Sequence, residues 1–177
     1  MLKSNIITIV IFFQLFLVEN QSQAQSNFLF EKGSDIYVSI TKNEEEVVKT
    51  AIEIFSKDYK QVFQGKVILG NNGNILIGTI GQNSIAENLV TLADKQKLNY
   101  RKEGFIRKVQ DGKLIVLGSD KRGTAYGILE ISRIIGVSPW EWWADSPVTV
   151  KDKLVIKNGF QTLQSPSVRH RGIFIND

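Results

Sequence analysis

Two polar residues follow an apolar run at positions 172–175, in an order that a catalytic site could use. Asn176 and Asp177 come directly after Gly-Ile-Phe-Ile, a run typical of a strand buried on both faces of a parallel sheet or barrel. In a (β/α)8 barrel, catalytic groups stand at the carboxyl ends of the strands. A turn or a helix cap would use the same two residue types, so the sequence alone leaves both interpretations open.

Three tryptophans, Trp140, Trp142 and Trp143, lie close together after Pro139. Indole rings bind sugars because the C–H groups of a pyranose face meet the negative face of the ring. A cluster of this kind also fills the seam between two packed domains. We favour the packing role over sugar binding for these residues.

The stretch 120–127 contains Gly123 and Gly127 in a strand-to-helix context. It has neither the G-x-G-x-x-G spacing of a dinucleotide site nor the G-x-x-x-x-G-K-[ST] spacing of a P-loop, so we expect no nucleotide site there. Glycines four residues apart lie on one face of a helix. Their predicted role is to let the helix backbone approach a sheet, with Tyr126 covering the rim.

The chain has no cysteine and a single histidine, His170. No thiolate can therefore act as nucleophile or metal ligand, no disulfide can form, and the cysteine of a lipoprotein cleavage site is missing. A lone histidine makes neither a catalytic triad nor a metal site within this chain. We expect His170 to be structural, with no metal and no cofactor.

The net charge of +4 is small, and acidic residues sit among the basic ones almost throughout. Nucleic-acid-binding proteins instead concentrate lysine and arginine in stripes or runs. We therefore expect no nucleic-acid partner.

The first 24 residues have the pattern of a signal peptide. Lys3 precedes an apolar core over residues 6–18, and Ser22-Gln23-Ala24 offers small residues at the positions that signal peptidase prefers. The core spans 13 residues, 11 of them apolar and interrupted only by Thr8 and Gln14, short of the roughly 20 that a membrane-spanning helix needs. The sequence predicts a periplasmic or secreted protein without stable insertion in a membrane.

Alternating helical and strand patterns after residue 25 predict an α+β fold, with helices packed on a mixed sheet. Asn43 with Glu46 forms a candidate capping box, and the helix after it has apolar residues from Val47 to Phe63 at spacings of three and four. The other predicted helices cover residues 84–98 and 120–135, with Gly136 as the C-cap of the second. The predicted strands cover residues 35–40, 66–69, 75–80, 103–109, 113–117, 148–150 and 154–156. Asp111-Gly112 predicts a hairpin turn, and the last two strands are expected to form a second hairpin.

Three stretches of this chain, 118–127, 136–148 and 165–177, resemble the N-terminal region of glycoside hydrolase family 115, the xylan α-glucuronidases. The first stretch is shared more loosely with the N-terminal domains of family 20 hexosaminidases and family 67 α-glucuronidases. The second and third, in this order, are more specific. Glu141 and His170 depart from the pattern, where aromatic residues are expected.

The resemblance implies an accessory domain at 25–165, like those preceding family 20 and 67 barrels, followed at 166–177 by the first strand of a truncated TIM-type barrel. The whole enzyme would remove glucuronic or 4-O-methyl-glucuronic acid from xylan side chains, with inversion, and the fragment alone would be inactive. Asp177 matches an acidic active-site position, with Asn176 and Arg171 as substrate contacts. Glucuronoxylan is the implied partner, and a homodimer is left open.

Two alternatives stay open. The chain could be a stand-alone secreted carbohydrate-binding module that uses its three tryptophans. It could also be the N-terminal domain of a related hydrolase with another sugar specificity, such as a family 20 hexosaminidase.

Overall fold

The computed structural model describes residues 26–144 and 146–168, without the side chains of Trp142 and Trp143. The predicted signal peptide at 1–24, the predicted barrel strand, and the site residues Arg171, Asn176 and Asp177 lie outside the described residues. Their interpretation stays a prediction.

Eight strands and five helices make up the described fold. The strands are β1 (Phe28–Glu31), β2 (Ile36–Ser39), β3 (Val67–Leu69), β4 (Ile75–Thr79), β5 (Phe105–Gln110), β6 (Lys113–Gly118), β7 (Lys153–Ile156) and β8 (Gln161–Gln164). The helices are α1 (Glu46–Phe63), α2 (Ile85–Asn88), α3 (Leu92–Asn99), α4 (Lys121–Ile135) and α5 (Glu141–Ala144).

Six strands form a mixed sheet in the order β3-β2-β4-β6-β5-β8. Strands β3, β2, β4 and β6 run parallel, and β5 is antiparallel to both β6 and β8. The predicted α+β class with a mixed sheet is confirmed. Both predicted strands around residues 70–73 exist, but they do not pair with each other, because β2 lies between them.

The sheet is covered on both faces. Helices α1 and α4 pack on one face through a cluster that includes Phe55, Ile128 and Val116. Helices α2 and α3 cover the other face, where Ala86 and Leu98 meet the alternate residues of the same strands. Most of the predicted apolar stripe of α1 is buried, whereas Val47 is exposed.

A second, two-stranded sheet joins β1 to β7, with Phe28 opposite Ile156. The predicted hairpin between residues 148–150 and 154–156 is therefore wrong: residues 148–150 form no strand, and the partner of β7 is β1. Neither β1 nor β8 was predicted from the sequence. Each pairs with a strand far away in the chain, β1 with β7 and β8 with β5.

The predicted capping box at Asn43 is also wrong. Helix α1 begins at Glu46, and its N-cap residue Glu45 makes no side-chain capping bond. The preceding Glu44 is only 3% exposed, because its carboxylate accepts a hydrogen bond of 3.0 Å from the buried Thr79 hydroxyl. This contact with the sheet fixes the chain entering the helix.

The single helix predicted over residues 84–98 is two short helices. Ser84 caps α2 by accepting from the Glu87 amide, and Thr91 caps α3 by accepting from the Asp94 amide. Two strong N-cap residues seven positions apart thus start two helices. The predicted inward residues Ile85, Leu92 and Ala93 are exposed, and Leu89 is only partly buried.

The hairpin and the last long helix follow the sequence prediction. Asp111 and Gly112 both have positive φ, at 51° and 72°, in the two-residue turn between β5 and β6. Asp120 caps α4, and Gly136 ends it at φ 108°. A Cβ at Gly123 would lie 2.1 Å from the Gly104 carbonyl oxygen, and one at Gly127 would lie 2.6 Å from Val116. The close helix–sheet approach predicted from these glycines is confirmed.

Candidate functional site

The described residues contain a buried polar cluster at the carboxyl ends of parallel strands β4 and β6. The Thr79 and Thr124 hydroxyls are hydrogen-bonded to each other at 2.7 Å, and the Thr79 hydroxyl donates to the carboxylate of Glu44 at 3.0 Å. The Thr124 hydroxyl also lies 3.2 Å from the Gly78 carbonyl oxygen. Ligands commonly bind at this edge of an open α/β sheet. Here the hydroxyls bond one another and both threonines are buried, so the cluster ties α4 to the sheet and leaves no open site.

The start of α4 is likewise closed to anions. One carboxylate oxygen of Asp120 accepts from the Arg122 and Gly123 amides at 3.0 and 2.9 Å, and the other accepts from the Glu103 amide at 2.8 Å. A phosphate would need those helix amides for itself. The capping carboxylate therefore agrees with the predicted lack of a nucleotide site.

An apolar cleft of about 410 Å³ runs along the outer side of α4. Its walls come from four parts of the chain: strand β5, helix α4, the loop after α4 and the segment after β8. The lining side chains on which its shape depends are Phe105, Tyr126, Leu129, Pro139 and Pro166. It offers apolar surface and shape, and no nucleophile with a base beside it.

Three charged side chains form a network at this cleft. Arg133 donates hydrogen bonds to the Glu130 carboxylate through two nitrogens, one of them Nε at 2.7 Å. The Arg107 guanidinium lies 3.6 Å from the same carboxylate. Arg107 is only 2% exposed, and its Nε has no hydrogen-bond partner. Burial lowers the pKa of the Arg107 guanidinium and Glu130 opposes that shift, while the Glu130 hydrogen bond raises the pKa of Arg133.

The guanidinium of Arg107 also lies over two aromatic rings, 5.9 Å from the centre of Phe105 and 5.8 Å from that of Phe160. Such contacts stabilise a cation that has lost water. The network therefore fixes β5, α4 and the segment before β8 around one buried charge. This network was not predicted from the sequence, although an arginine between Phe105 and Val109, at alternate positions of β5, was a visible signal.

A second cleft, of about 340 Å³, lies on the other side of the segment that follows β8. Tyr100, 92% exposed, and the cations Arg101 and Lys102 line it. Arg101 donates to the Ser165 hydroxyl at 3.3 Å, which ties the loop to the segment after β8. It is an open, charged surface without a carboxylate pair.

Of the residues singled out by the sequence, Trp140 is described and is 62% exposed. Trp140 is therefore not part of the core of the described domain, and its predicted packing against a neighbouring domain stays a prediction. The side chains of Trp142 and Trp143 are not described, so the proposed tryptophan cluster is not tested as a unit.

Within residues 26–144 and 146–168, no group of three or more His, Asp or Glu residues is placed to hold a metal ion. No helix in that part of the chain is long and apolar enough to cross a membrane.

The three stretches that carry the family resemblance meet at the apolar cleft. Tyr126 comes from 118–127, Pro139 from 136–148, and Ser165 with Pro166 from 165–177. They are separate in sequence and adjacent in the fold. The resemblance thus marks one surface of the domain.

Comparison with solved structures gives a close relative. A family GH115 4-O-methyl-α-glucuronidase with specificity for decorated arabinogalactans is 42% identical, over 84% of this chain and 20% of that chain, with a TM-score of 0.77. The structure of CpGH84D is 15% identical over 76% of this chain and 22% of that chain, with a TM-score of 0.47.

No protein-family model matches the chain, and no curated protein matches it either. This chain spans about a fifth of the length of the 4-O-methyl-α-glucuronidase that it matches. Identity of 42% over most of this chain agrees with the three stretches that resemble the same family. The chain therefore belongs to glycoside hydrolase family 115 over the residues that the match covers.

Proposed function

We propose that this chain is the N-terminal part of a secreted glycoside hydrolase that removes glucuronic or 4-O-methyl-glucuronic acid from polysaccharide side chains. The observation that carries the proposal is the 42% identity to a 4-O-methyl-α-glucuronidase over 84% of the chain. The described residues supply no pair of carboxylates facing an open cleft. In this proposal they form an accessory domain, and the chemistry belongs to a barrel that starts at residues 166–177.

The proposed reaction is hydrolysis with inversion. A general acid protonates the leaving oxygen while a general base activates water on the opposite face of the sugar, with the two carboxyl groups about 6.5 to 9.5 Å apart. Asp177 supplies one acidic group near the substrate, and Asn176 and Arg171 contact the sugar. The second carboxylate comes from a part of the enzyme outside this chain, so the fragment alone is inactive.

Two polysaccharides are candidates for the substrate that carries the uronic acid. The resemblance points to glucuronoxylan, whereas the relative of known structure acts on decorated arabinogalactans. Parallel assays on the two polymers separate these substrates.

The test uses the full-length gene product and measures uronic acid released from both polymers. We expect Asp177→Asn to lower kcat/KM by about 10² to 10⁴, the range typical for loss of an acid–base group. The matched control is Asp152→Asn, because Asp152 is 95% exposed and its nearest cation is the Lys32 amine at 3.9 Å.

Equal activity of Asp177→Asn and Asp152→Asn would remove Asp177 from the proposed site. An inactive wild-type enzyme on both polymers would reject the glucuronidase function itself. The anomer first released, read by NMR, distinguishes inversion from retention.

Secretion is part of the same proposal. Signal peptidase would cut after Ala24, so the exported protein would begin at Gln25. N-terminal sequencing of the protein from the periplasm or medium checks this, and a mature protein that still starts at Met1 contradicts it.

A second function, carbohydrate binding, is favoured by one observation, the 62% exposure of Trp140. An open indole suits stacking against a sugar ring. In an Asp177→Asn background, in which turnover is expected to be slow, Trp140→Ala would weaken polysaccharide binding in affinity electrophoresis. Unchanged mobility would dismiss this role.

A further inference from the structure

We propose that the apolar cleft beside α4 is the surface on which the catalytic domain of the same protein docks. This inference rests on the proposed function, which supplies such a domain. The family member of known structure is about five times as long as the part that matches this chain, so there the domain has a large neighbour within one polypeptide.

The other apolar surfaces of the sheet are already occupied. Helices α1 and α4 cover one face, and α2 with α3 cover the other. The apolar cleft is the uncovered apolar surface between α4 and the β5–β8 edge of the sheet. An apolar groove in such a place is typical of a surface that another domain covers.

The path of the chain leads to the same place. The segment after β8 lines the cleft through Ser165 and Pro166, so whatever follows in the polypeptide is tethered at its edge. A short tether keeps two surfaces at a high effective concentration, so modest contacts are enough to hold them together. This makes the following domain a better occupant than a separate protein.

The charges favour a particular kind of contact. Arg107 and Arg133 share the single carboxylate of Glu130, which leaves an excess of positive charge, and the Arg133 side chain is 59% exposed. A fixed, partly exposed guanidinium binds a carboxylate in a forked geometry. We therefore expect the catalytic domain to bring an apolar side chain into the cleft and an acidic residue to Arg133.

The test measures thiol labelling in the full-length gene product. Leu129→Cys places a thiol in the cleft, and Ile134→Cys places one on the same helix outside it; both native residues are partly buried and touch the same core. Because residues 1–177 have no cysteine, a labelled peptide from this region can only be the introduced one. Each rate is divided by the rate of the same variant in denaturant.

If the cleft is covered, Leu129→Cys should be labelled at least about tenfold more slowly than Ile134→Cys, because the interface must open first. Ser165→Cys, a small change on the opposite wall, repeats the test if Leu129→Cys fails to fold. Equal normalised rates for the cleft and control positions overturn the proposal.

A photo-crosslinker on Leu129→Cys identifies the occupant. Cross-links within one chain to residues beyond 177 support the proposal. Cross-links between two copies would assign the cleft to a homodimer, and labelling that slows only with added polysaccharide would assign it to a glycan; either result overturns it. Uronic acid release by the wild type is measured separately, so a protected cleft in an inactive protein rejects the proposed function and keeps the docking surface.

Discussion

The hydroxyl groups of Thr79 and Thr124 lie 2.7 Å apart, one at the end of strand β4 and the other in the first turn of α4. The Thr79 hydroxyl donates a hydrogen bond to the carboxylate of Glu44, just before α1. One chain of hydrogen bonds therefore fixes the starts of both long helices against the sheet.

Replacing Thr124 with valine keeps the shape of the side chain and removes the hydroxyl. The Thr79 hydroxyl and the Gly78 carbonyl then lose their Thr124 partner in a buried place, so we expect the free energy of unfolding to fall by roughly 1 to 3 kcal/mol. Denaturant titration of the full-length protein measures this. The control is Thr50→Val, whose exposed hydroxyl bonds only the Glu46 carbonyl in the same helix and should change little. Equal losses at the two positions would contradict a special role for the buried cluster.

Gly123→Ala tests the close approach of α4 to the sheet. The added Cβ would lie 2.1 Å from the Gly104 carbonyl oxygen, a backbone atom that cannot rotate away. Although alanine favours helices, we expect a loss of roughly 1 to 3 kcal/mol from overpacking. A Cβ at Gly70 meets no atom within 4 Å, so Gly70→Ala is the control. A thermal melt that shows Gly123→Ala as stable as wild type would refute the packing argument.

Glu130→Gln leaves the buried Arg107 without its counter-ion. The side chains of Arg107 and Glu130 are 3% and 16% exposed, so the unpaired charge stays out of water, and we expect a loss of about 3 to 5 kcal/mol. Glu46→Gln breaks an exposed pair with Lys49, which has the i,i+3 spacing of Glu130 and Arg133, and should cost well under about 1 kcal/mol. Chemical denaturation of both variants compares them directly, and similar small losses would mean that Arg107 needs no partner.

Tyr59→Phe tests an alkaline limit to stability. Burial raises the pKa of Tyr59 to about 12 from 10.0, and its hydroxyl donates to the Ser34 carbonyl at 2.8 Å. Because the folded pKa lies above the unfolded one, the stability that this group contributes is full below pH 10 and is lost as the pH rises towards 12. Tyr59→Phe should cost about 1 kcal/mol at pH 7 and show a flatter decline above pH 10. An unchanged alkaline slope would exclude Tyr59 as its source.

Local signals predicted the parts of the fold that local chemistry determines. Asp111-Gly112 identified the β5–β6 hairpin because both residues adopt positive φ. Asp120 and Gly136 marked the ends of α4 because one accepts helix amides and the other closes the last turn. The glycine spacing in α4 predicted its contact with the sheet for the same kind of reason.

The wrong predictions fall where a contact between residues far apart in the sequence determines the local structure. Nothing near Glu44 in sequence shows that Thr79 draws its carboxylate inward, so Asn43 looked like the better cap. Strand β7 was assigned to a hairpin because its real partner β1 lies at the other end of the described chain. The apolar cleft could not be seen in advance, because its walls come from four separate segments that only the folded sheet brings together.

The pairing of β1 with β7 determines when this domain can finish folding during synthesis. Phe28 and Phe30 are buried, and Phe30 stacks on Phe63 with ring centres 5.6 Å apart, yet the strand that carries them pairs with β7, which is synthesised after most of the described domain. Until β7 is synthesised, β1 is an unpaired strand that carries two apolar aromatic side chains. A nascent chain therefore cannot complete this sheet until β7 is synthesised, and two chains that have not yet paired their own β1 and β7 could exchange these strands.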